Sequence, residues 1–517
     1  MKNLSMKRNS LIAGIIVAVF AIVCSVNQVQ AQSTSTSVSI NNGVHKYSHR
    51  SGSQRLSIEY DGEIKIADDD KSIESISRGG YLLIRKTSFG ERREILAEPS
   101  SSGVSYEYRV GRRVQEWNQE AQEFLADVLL DVIRTTGIGA ESRVERFFKK
   151  GRLNGVLGEV DNIRNDHIKH VYLKIMLDEY ELNDQELVKL AQYVPSELDS
   201  DHYISEVFKD YSDKFLKNDA TTNAFLGALR RMDSDHYVTQ ILTRALREDL
   251  NDDALIKVIE AADVMDSDHY KTNVLKEVLD RRDLSDKLVD AVIKASTEID
   301  SDHYATLIIS DALDRPNLSD EAFNNLMDAI SRIDSDHYVT QTFQSMLRDR
   351  DVSDKVIEAI LNRLEYMDSD HYRNVIISDL FERQSISSEH FTSLLNTVDD
   401  IDSDHYASQI LMKVLRNNSL NDAQYDQVLR KVEDIDSDHY KVVIIKDVLG
   451  AKLTEKHLMS ILDAAESIDS DYYKSEVLKN ACNLVQDASD DVKSTFRTVA
   501  RGIRSDTYYG RVARCID

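Results

Sequence analysis

The pentapeptide DSDHY occurs eight times in this 517-residue chain, beginning at Asp199, Asp233, Asp266, Asp300, Asp334, Asp368, Asp402 and Asp436. Consecutive copies lie 34 residues apart, except for one step of 33. A ninth copy, DSDYY at Asp469, replaces His by Tyr. Weaker versions stand at Asn165-Asp166-His167 and at Ser505-Asp506-Thr507-Tyr508. A fixed period of this length means one structural unit copied in tandem, with atypical units as caps. It overrides the prior of roughly 100 to 200 residues per domain, which would split a chain of this length several ways.

Within one period, Tyr270 is followed by Val274, Leu275, Val278 and Leu279. After Leu284 come Leu288, Val289, Val292 and Ile293. Both sets fall at helical spacing, so each repeat reads as two helices. The second helix opens behind a capping signal: Asn251-Asp252, Ser285-Asp286, Ser319-Asp320, Ser353-Asp354, Asn421-Asp422 and Thr454-Glu455. Two amphipathic helices of about 14 residues cannot bury their apolar faces alone, so neighbours must stack into an α-α solenoid. The period matches the tetratricopeptide length, but the Trp, Leu-Gly, Ala and Pro positions of that signature are missing. The expectation is a HEAT-like or generic solenoid of about ten hairpins over residues 165–517.

The motif itself reads as the opening of each first helix. The leading Asp or the Ser caps the free amides, and the second Asp sits in the first turn against the helix dipole. The capping set is Asp199, Ser200, Asp201, Asp233, Ser234, Asp235, Asp266, Ser267, Asp268, Asp300, Ser301 and Asp302. It continues through Asp334, Ser335, Asp336, Asp368, Ser369, Asp370, Asp402, Ser403, Asp404, Asp436, Ser437 and Asp438. The tyrosines of the motif, Tyr203, Tyr237, Tyr270, Tyr304, Tyr338, Tyr372, Tyr406, Tyr440 and Tyr473, are expected as a recurrent core aromatic. The alternative is a ladder of carboxylate and imidazole ligands for calcium. Successive repeats, however, stand roughly 8 to 10 Å apart, whereas calcium needs 6 to 8 oxygens at about 2.3 to 2.6 Å.

Residues 1–31 read as an export signal: Lys2, Lys7 and Arg8, an apolar run from Leu11 to Val26, then Val29-Gln30-Ala31. An uncleaved signal anchor is the alternative; the mature chain has no membrane span. Removing the signal leaves 61 basic against 90 acidic side chains, a net of −29. That balance argues against nucleic acid and anionic lipid as partners. Of the remaining cysteines, Cys482 and Cys515 are expected to form a disulfide in an oxidising compartment.

Residues 32–39 (QSTSTSVS) read as a polar linker. Residues 40–113 then alternate as short strands: Val44 to His49, Arg55 to Tyr60, Glu63 to Ala67, Tyr81 to Lys86, Arg92 to Leu96 and Val104 to Val110. They suggest a small antiparallel β-rich domain. Residues 114–164 switch to helical spacing, with Phe124, Leu125, Val128, Leu129 and Val132 on one face and Gly137 past the end. The fold class expected is α+β, mainly α.

The sequence holds no HExxH, no GxSxG and no glycine-rich phosphate or dinucleotide loop. No cofactor or metal is implied. A hydrolase site at the junction of the β-domain and helices, using Glu141, Arg143 and His167, is one alternative, and the pair His167 and His170 is the nearest metal-like spacing.

The S-D-H-Y helix starts, the segment SRGGYLLIRK at 77–86 and the segment GIGAESRVERFFKKGRLNGVLGEVDNI at 137–163 resemble exported bacterial helical-repeat proteins. Similar segments are appended to sensor-type membrane metallopeptidases. The resemblance implies architecture alone, since the HExxH and membrane helices of those enzymes are absent. The function expected is an exported, non-enzymatic scaffold that binds a protein or cell-envelope polymer. Positions after each motif Tyr vary between repeats, as in Val238-Thr239-Gln240, Lys271-Thr272-Asn273, Ala305-Thr306-Leu307 and Arg373-Asn374-Val375, and are the candidate contact surface.

Overall fold

The computed structural model describes residues 34–41, 43–281, 284–313, 319–348, 352–383, 386–416, 420–451 and 453–515. The expected export signal, 1–31, lies outside the described residues. The chain divides into two compact units, one ending at Glu179 and the other running from Tyr180.

The first unit opens with strands β1 (Thr34–Asn41), β2 (Val44–Ser51), β3 (Gln54–Asp61), β4 (Ile64–Ile66), β5 (Ile73–Ile76), β6 (Tyr81–Ser88), β7 (Glu91–Ser100), β8 (Gly103–Val110) and β9 (Arg113–Gln115). Seven of them form an antiparallel sheet in the order β1-β2-β3-β6-β7-β8-β9, with β4 and β5 as a separate hairpin inserted between β3 and β6. The register lines up Tyr47 with Ile58, Ile58 with Ile84, Ile84 with Ile95 and Ile95 with Tyr108. This cross-strand row is the spine of the core, and its three isoleucines are wholly buried. The hairpin adds Ile64, Ile66, Ile73 and Ile76 to the same core.

The expected polar linker is corrected here: residues 34–39 belong to β1, paired along its length with β2. Its alternating Ser and Thr concealed the strand, because the chain leaves both faces solvated and Val38 and Ile40 stay exposed. Strands β5 and β9 were also missed, each being too short to show a period.

Helix α1 (Gln119–Thr136) lays Phe124, Leu125, Val128, Leu129 and Val132 on that core. Asn118 caps it by accepting from the Ala121 amide at 3.1 Å. Gly137 ends it at φ 75°, the left-handed conformation that glycine adopts without penalty. Helix α2 (Ala140–Val160) is interrupted at Gly151 and Arg152, where Arg152 is held at φ 49°. Helix α3 (Asp166–Glu179) buries Ile168, Tyr172, Leu173 and Met176. The expected boundary at 164/165 is therefore moved: α3, the first repeat-like helix, packs on α2 and completes the first unit.

The second unit is the solenoid. Its first helices begin at the second Asp of each motif, as in Asp235–Ala245, Asp268–Leu279, Asp336–Arg348 and Asp438–Leu449. Its second helices include Asp252–Ala261, Asp286–Ser296, Asp320–Ser331 and Glu455–Glu466. First helices pack on first helices and second on second, giving two layers. The expected apolar sets fill the space between them: Val274, Leu275, Val278 and Leu279 against Leu288, Val289, Val292 and Ile293, all at most 3% exposed. Burying each such side chain is worth about 1.5 to 3 kcal/mol, an upper estimate for a chain already partly collapsed when unfolded.

Cys482, in the helix Asp471–Gln486, and Cys515, in the turn after Asp506–Ala513, are joined with their Cα atoms 5.5 Å apart. Among the described residues no helix is long and apolar enough to cross a membrane.

Candidate functional site

The repeated pentapeptide makes an edge built of first-helix N-termini. In Ser234, Ser267, Ser403 and Ser437 the backbone is extended, as a capping residue requires, but the hydroxyl makes no capping bond. The serine contributes its carbonyl, which accepts the first helical amide, as from Val238 to Ser234 at 3.1 Å. Its own amide points to the preceding repeat. Ser234 donates to Oδ2 of Asp201 at 2.7 Å, Ser267 to Asp235 at 2.8 Å, Ser301 to Asp268 at 2.9 Å and Ser335 to Asp302 at 2.8 Å. The series continues from Ser369 to Asp336, Ser403 to Asp370, Ser437 to Asp404 and Ser470 to Asp438, all within 2.7 to 2.9 Å.

This corrects the expected self-cap. The second Asp of each motif does occupy its own helix's first turn, where the dipole favours a carboxylate. Its hydrogen bonds, however, go forward to the turn that opens the next first helix. In several repeats it accepts a second amide, from Asp233 to Asp201 at 3.1 Å and from Asp368 to Asp336 at 3.0 Å. A carboxylate that accepts amides is a charge-assisted acceptor, worth about 1.5 to 3 kcal/mol per bond where water is excluded. The leading aspartates, including Asp199, Asp233, Asp266 and Asp300, are exposed.

The motif tyrosines are also placed differently from expectation. They are half-buried rather than core, because each stands in the first turn at the rim of the stack. Each motif His is exposed and sits between two tyrosine rings: His236 lies 5.2 Å from Tyr237 and 6.1 Å from Tyr270, and His337 lies 5.1 Å from Tyr338 and 5.8 Å from Tyr372. The ring ladder runs from Tyr203 and His202 to Tyr508, with Tyr472 taking the histidine's place in the ninth copy. Separations of 4.5 to 7 Å are those at which tilted aromatic pairs attract. The sequence showed the pattern but not this pairing, which crosses from one repeat to the next.

The same logic holds at the second-helix starts. Ser285 Oγ donates to Asp252 at 2.6 Å, and the Ser489 amide donates to Glu455 at 2.9 Å. His457 contacts Asp422 at 3.1 Å and stacks on Tyr425 at 4.0 Å, and His390 lies 3.4 Å from Asp354. The variable triplets after each Tyr turn part of their side chains to the neighbouring repeat, while Asn273 stays exposed. Val238, Thr272, Ala305, Thr306 and Asn374 are buried, Lys209 donates to Gln240 at 2.9 Å, and Asn374 donates to Gln409 at 3.0 Å. Their buried members specify stacking, while Lys271 reaches the open surface of the second helices.

Open surface lies on the second helices. Asp252–Ala261, Asp286–Ser296 and Asp320–Ser331 line a groove of about 730 Å³. Four cations and six carboxylates line it, so its charge is mixed, and Lys287, Asp290, Lys294 and Asp328 are among them.

Glu141, Arg143 and His167 stand in different surroundings. Glu141 and His167 are exposed, whereas Arg143 is 1% exposed and belongs to a structural network. It donates to Tyr172 Oη at 2.9 Å and to Glu159 at 2.5 Å, and pairs with Asp70 of the β4–β5 loop. Arg134 binds the same Glu159 through two bonds of 2.8 and 2.9 Å. Burial pushes the Tyr172 hydroxyl above its ordinary pKa, opposed by the adjacent guanidinium. The network ties the inserted hairpin to α2 and α3. Among the described residues no three His, Cys, Asp or Glu side chains are grouped to hold a metal ion, His167 and His170 included.

No family model matches the chain, and no curated protein matches it. A solved circular tandem repeat protein with novel repeat topology and enhanced subunit contact surfaces is similar at 12% identity, over 77% of this chain and 91% of its own, with a TM-score of 0.17. A likeness at that level adds nothing to the architecture described above.

Proposed function

We propose that this chain is an exported, non-enzymatic repeat scaffold that binds a protein or a cell-envelope polymer through its solenoid, akin to the helical-repeat segments appended to sensor-type metallopeptidases. The observation that carries the reading is the groove on the second helices. The second Asp and the Ser of each motif hold repeat to repeat, while the groove keeps charged side chains of both signs open across three successive repeats. A mixed-charge surface spanning several repeats favours an extended partner that carries charge of its own.

The test uses the full chain and a variant carrying Lys287→Glu and Lys294→Glu, both on exposed helix surface. Immobilised chains are exposed to solubilised envelope proteins and to envelope polysaccharide. The reading expects a partner retained by the natural chain and lost by the variant. Equal retention by both, or retention that survives blocking of the groove, contradicts it. Export is checked separately, by fractionation and N-terminal sequencing of the mature chain, which is expected to begin at Gln32.

A further inference from the structure

We infer that the first unit holds a second, independent site, for a small anionic ligand rich in hydroxyl groups such as an acidic sugar. The cavity is about 700 Å³ and is walled by β1, β2, β3, β6, the C-terminal turns of α1 and the loop between α2 and α3. Four cations line it, Arg55, Lys86, Arg134 and Arg164, against a single carboxylate, Asp131.

The charge is unusual for this chain, whose formal net is −26. It is also opposite to that of the second-helix groove, where carboxylates outnumber cations six to four. Two of the four cations are already engaged. Lys86 lies 3.5 Å from Asp127 and 3.8 Å from Asp131, and Arg134 is held by Glu159. Counting Asp127 and Glu159 as well, the cations still exceed the carboxylates by one. The excess falls on Arg55 and Arg164, which make no ion pair among the described residues and stand on different walls of the cavity. Two guanidinium groups of this kind present planar donor forks that match a carboxylate or a phosphate.

The remaining polar lining includes His49, which shares a hydrogen bond with Thr36 at 2.9 Å. Seven hydroxyl- or amide-bearing side chains contribute, Gln54, Asn162 and Tyr47 among them. Tyr47, half-buried in β2, supplies an aromatic side chain. The concavity has the size of a small-molecule site, and since half of its lining is exposed, Arg55 and Arg164 included, binding there rests on charge and hydrogen bonding more than on burial. Donors and acceptors in that number suit a ligand with several hydroxyls, and the guanidinium groups suit its anionic end.

The experiment is isothermal titration of the full chain with galacturonate, glucose 6-phosphate and glucose at low salt, repeated with R55E/R164E. Circular dichroism confirms that the variant is folded, and the single change Arg164→Gln serves if it is not. We expect one or both anionic sugars to bind and glucose not to, with affinity falling on the order of tenfold or more in the variant. Preference for galacturonate assigns the anionic end as a carboxylate, and preference for glucose 6-phosphate assigns it as a phosphate. Binding of glucose as tight as that of the acids, an unchanged affinity in the variants, or no binding of any probe overturns the proposal. None of these results depends on the groove of the second unit.

Discussion

The carboxylate of Asp201 accepts the backbone amide of Ser234 at 2.7 Å, although the two residues are 33 positions apart. The relationship recurs through the stack, so each repeat supplies the acceptor that its successor's first turn lacks. Stability in such an array is close to a sum of unit and neighbour terms, and these carboxylates are part of the neighbour term.

Replacing one such aspartate is therefore expected to weaken an interface more than a helix. Asp336→Ala removes the acceptor for the amides of Asp368 and Ser369. The loss expected is about 1 to 3 kcal/mol, with Asp336→Asn, which keeps an acceptor, losing less. Urea unfolding midpoints of the two variants check the order.

Arg143 offers a sharper case in the first unit. Arg143→Met removes the guanidinium that joins Glu159 to Asp70, but Arg134 stays on Glu159 and Arg146 on Asp70, so the loss expected is smaller than the roughly 3 to 5 kcal/mol of a buried charge left uncompensated. Glu159→Gln, which takes the carboxylate from both Arg134 and Arg143, is expected to cost more than Arg143→Met. Thermal unfolding followed by near-ultraviolet circular dichroism measures both.

The pair Tyr81 and Glu59 predicts a two-sided pH dependence. Tyr81 Oη donates to Glu59 at 2.7 Å. Burial and this bond push the tyrosine up from its ordinary value of 10 to about 12, and the same bond lowers the Glu59 pKa. Between pH 10 and about 12 the folded chain holds a proton that the unfolded chain has released, so stability falls as pH rises through that window. The glutamate acts at the other end: its folded pKa is depressed, so stability falls as pH drops below the ordinary carboxylate range. Tyr81→Phe is expected to flatten the alkaline slope and reduce the acidic one, read as the change in unfolding free energy with pH.

Reduction of the Cys482–Cys515 bond should loosen the last repeats only. The bond closes a span of 33 residues, for which loop entropy gives about 3 to 4 kcal/mol. Hydrogen exchange after reduction is expected to rise in 471–515 while the central repeats keep their protection.

The solenoid was legible because its signal is redundant: the spacing of Val289, Val292 and Ile293 recurs in the second helices from Asp252 to Glu466, and all three are buried. The β-meander was legible where strands bury one face, and illegible at β1, where neither face is covered. The role of the motif was half legible. An Asp in the first turn looks the same whether it serves its own helix or the next, since sequence gives the donor's type and not its repeat. Tyr270 sits four residues before Val274, in register with the core, but the first turn projects at the rim and leaves it half-buried. The cavity around Arg55 and Arg164 left no trace, because its walls come from segments more than a hundred residues apart.

Amide hydrogen exchange in Asp336→Ala tests the inter-repeat bond most directly. Faster exchange is predicted at Asp368 and Ser369, in the following repeat, with residues 337–340 at the start of the altered helix little changed. Faster exchange confined to 337–340, with Ser369 as protected as before, would show that the carboxylate serves its own helix and contradict the account.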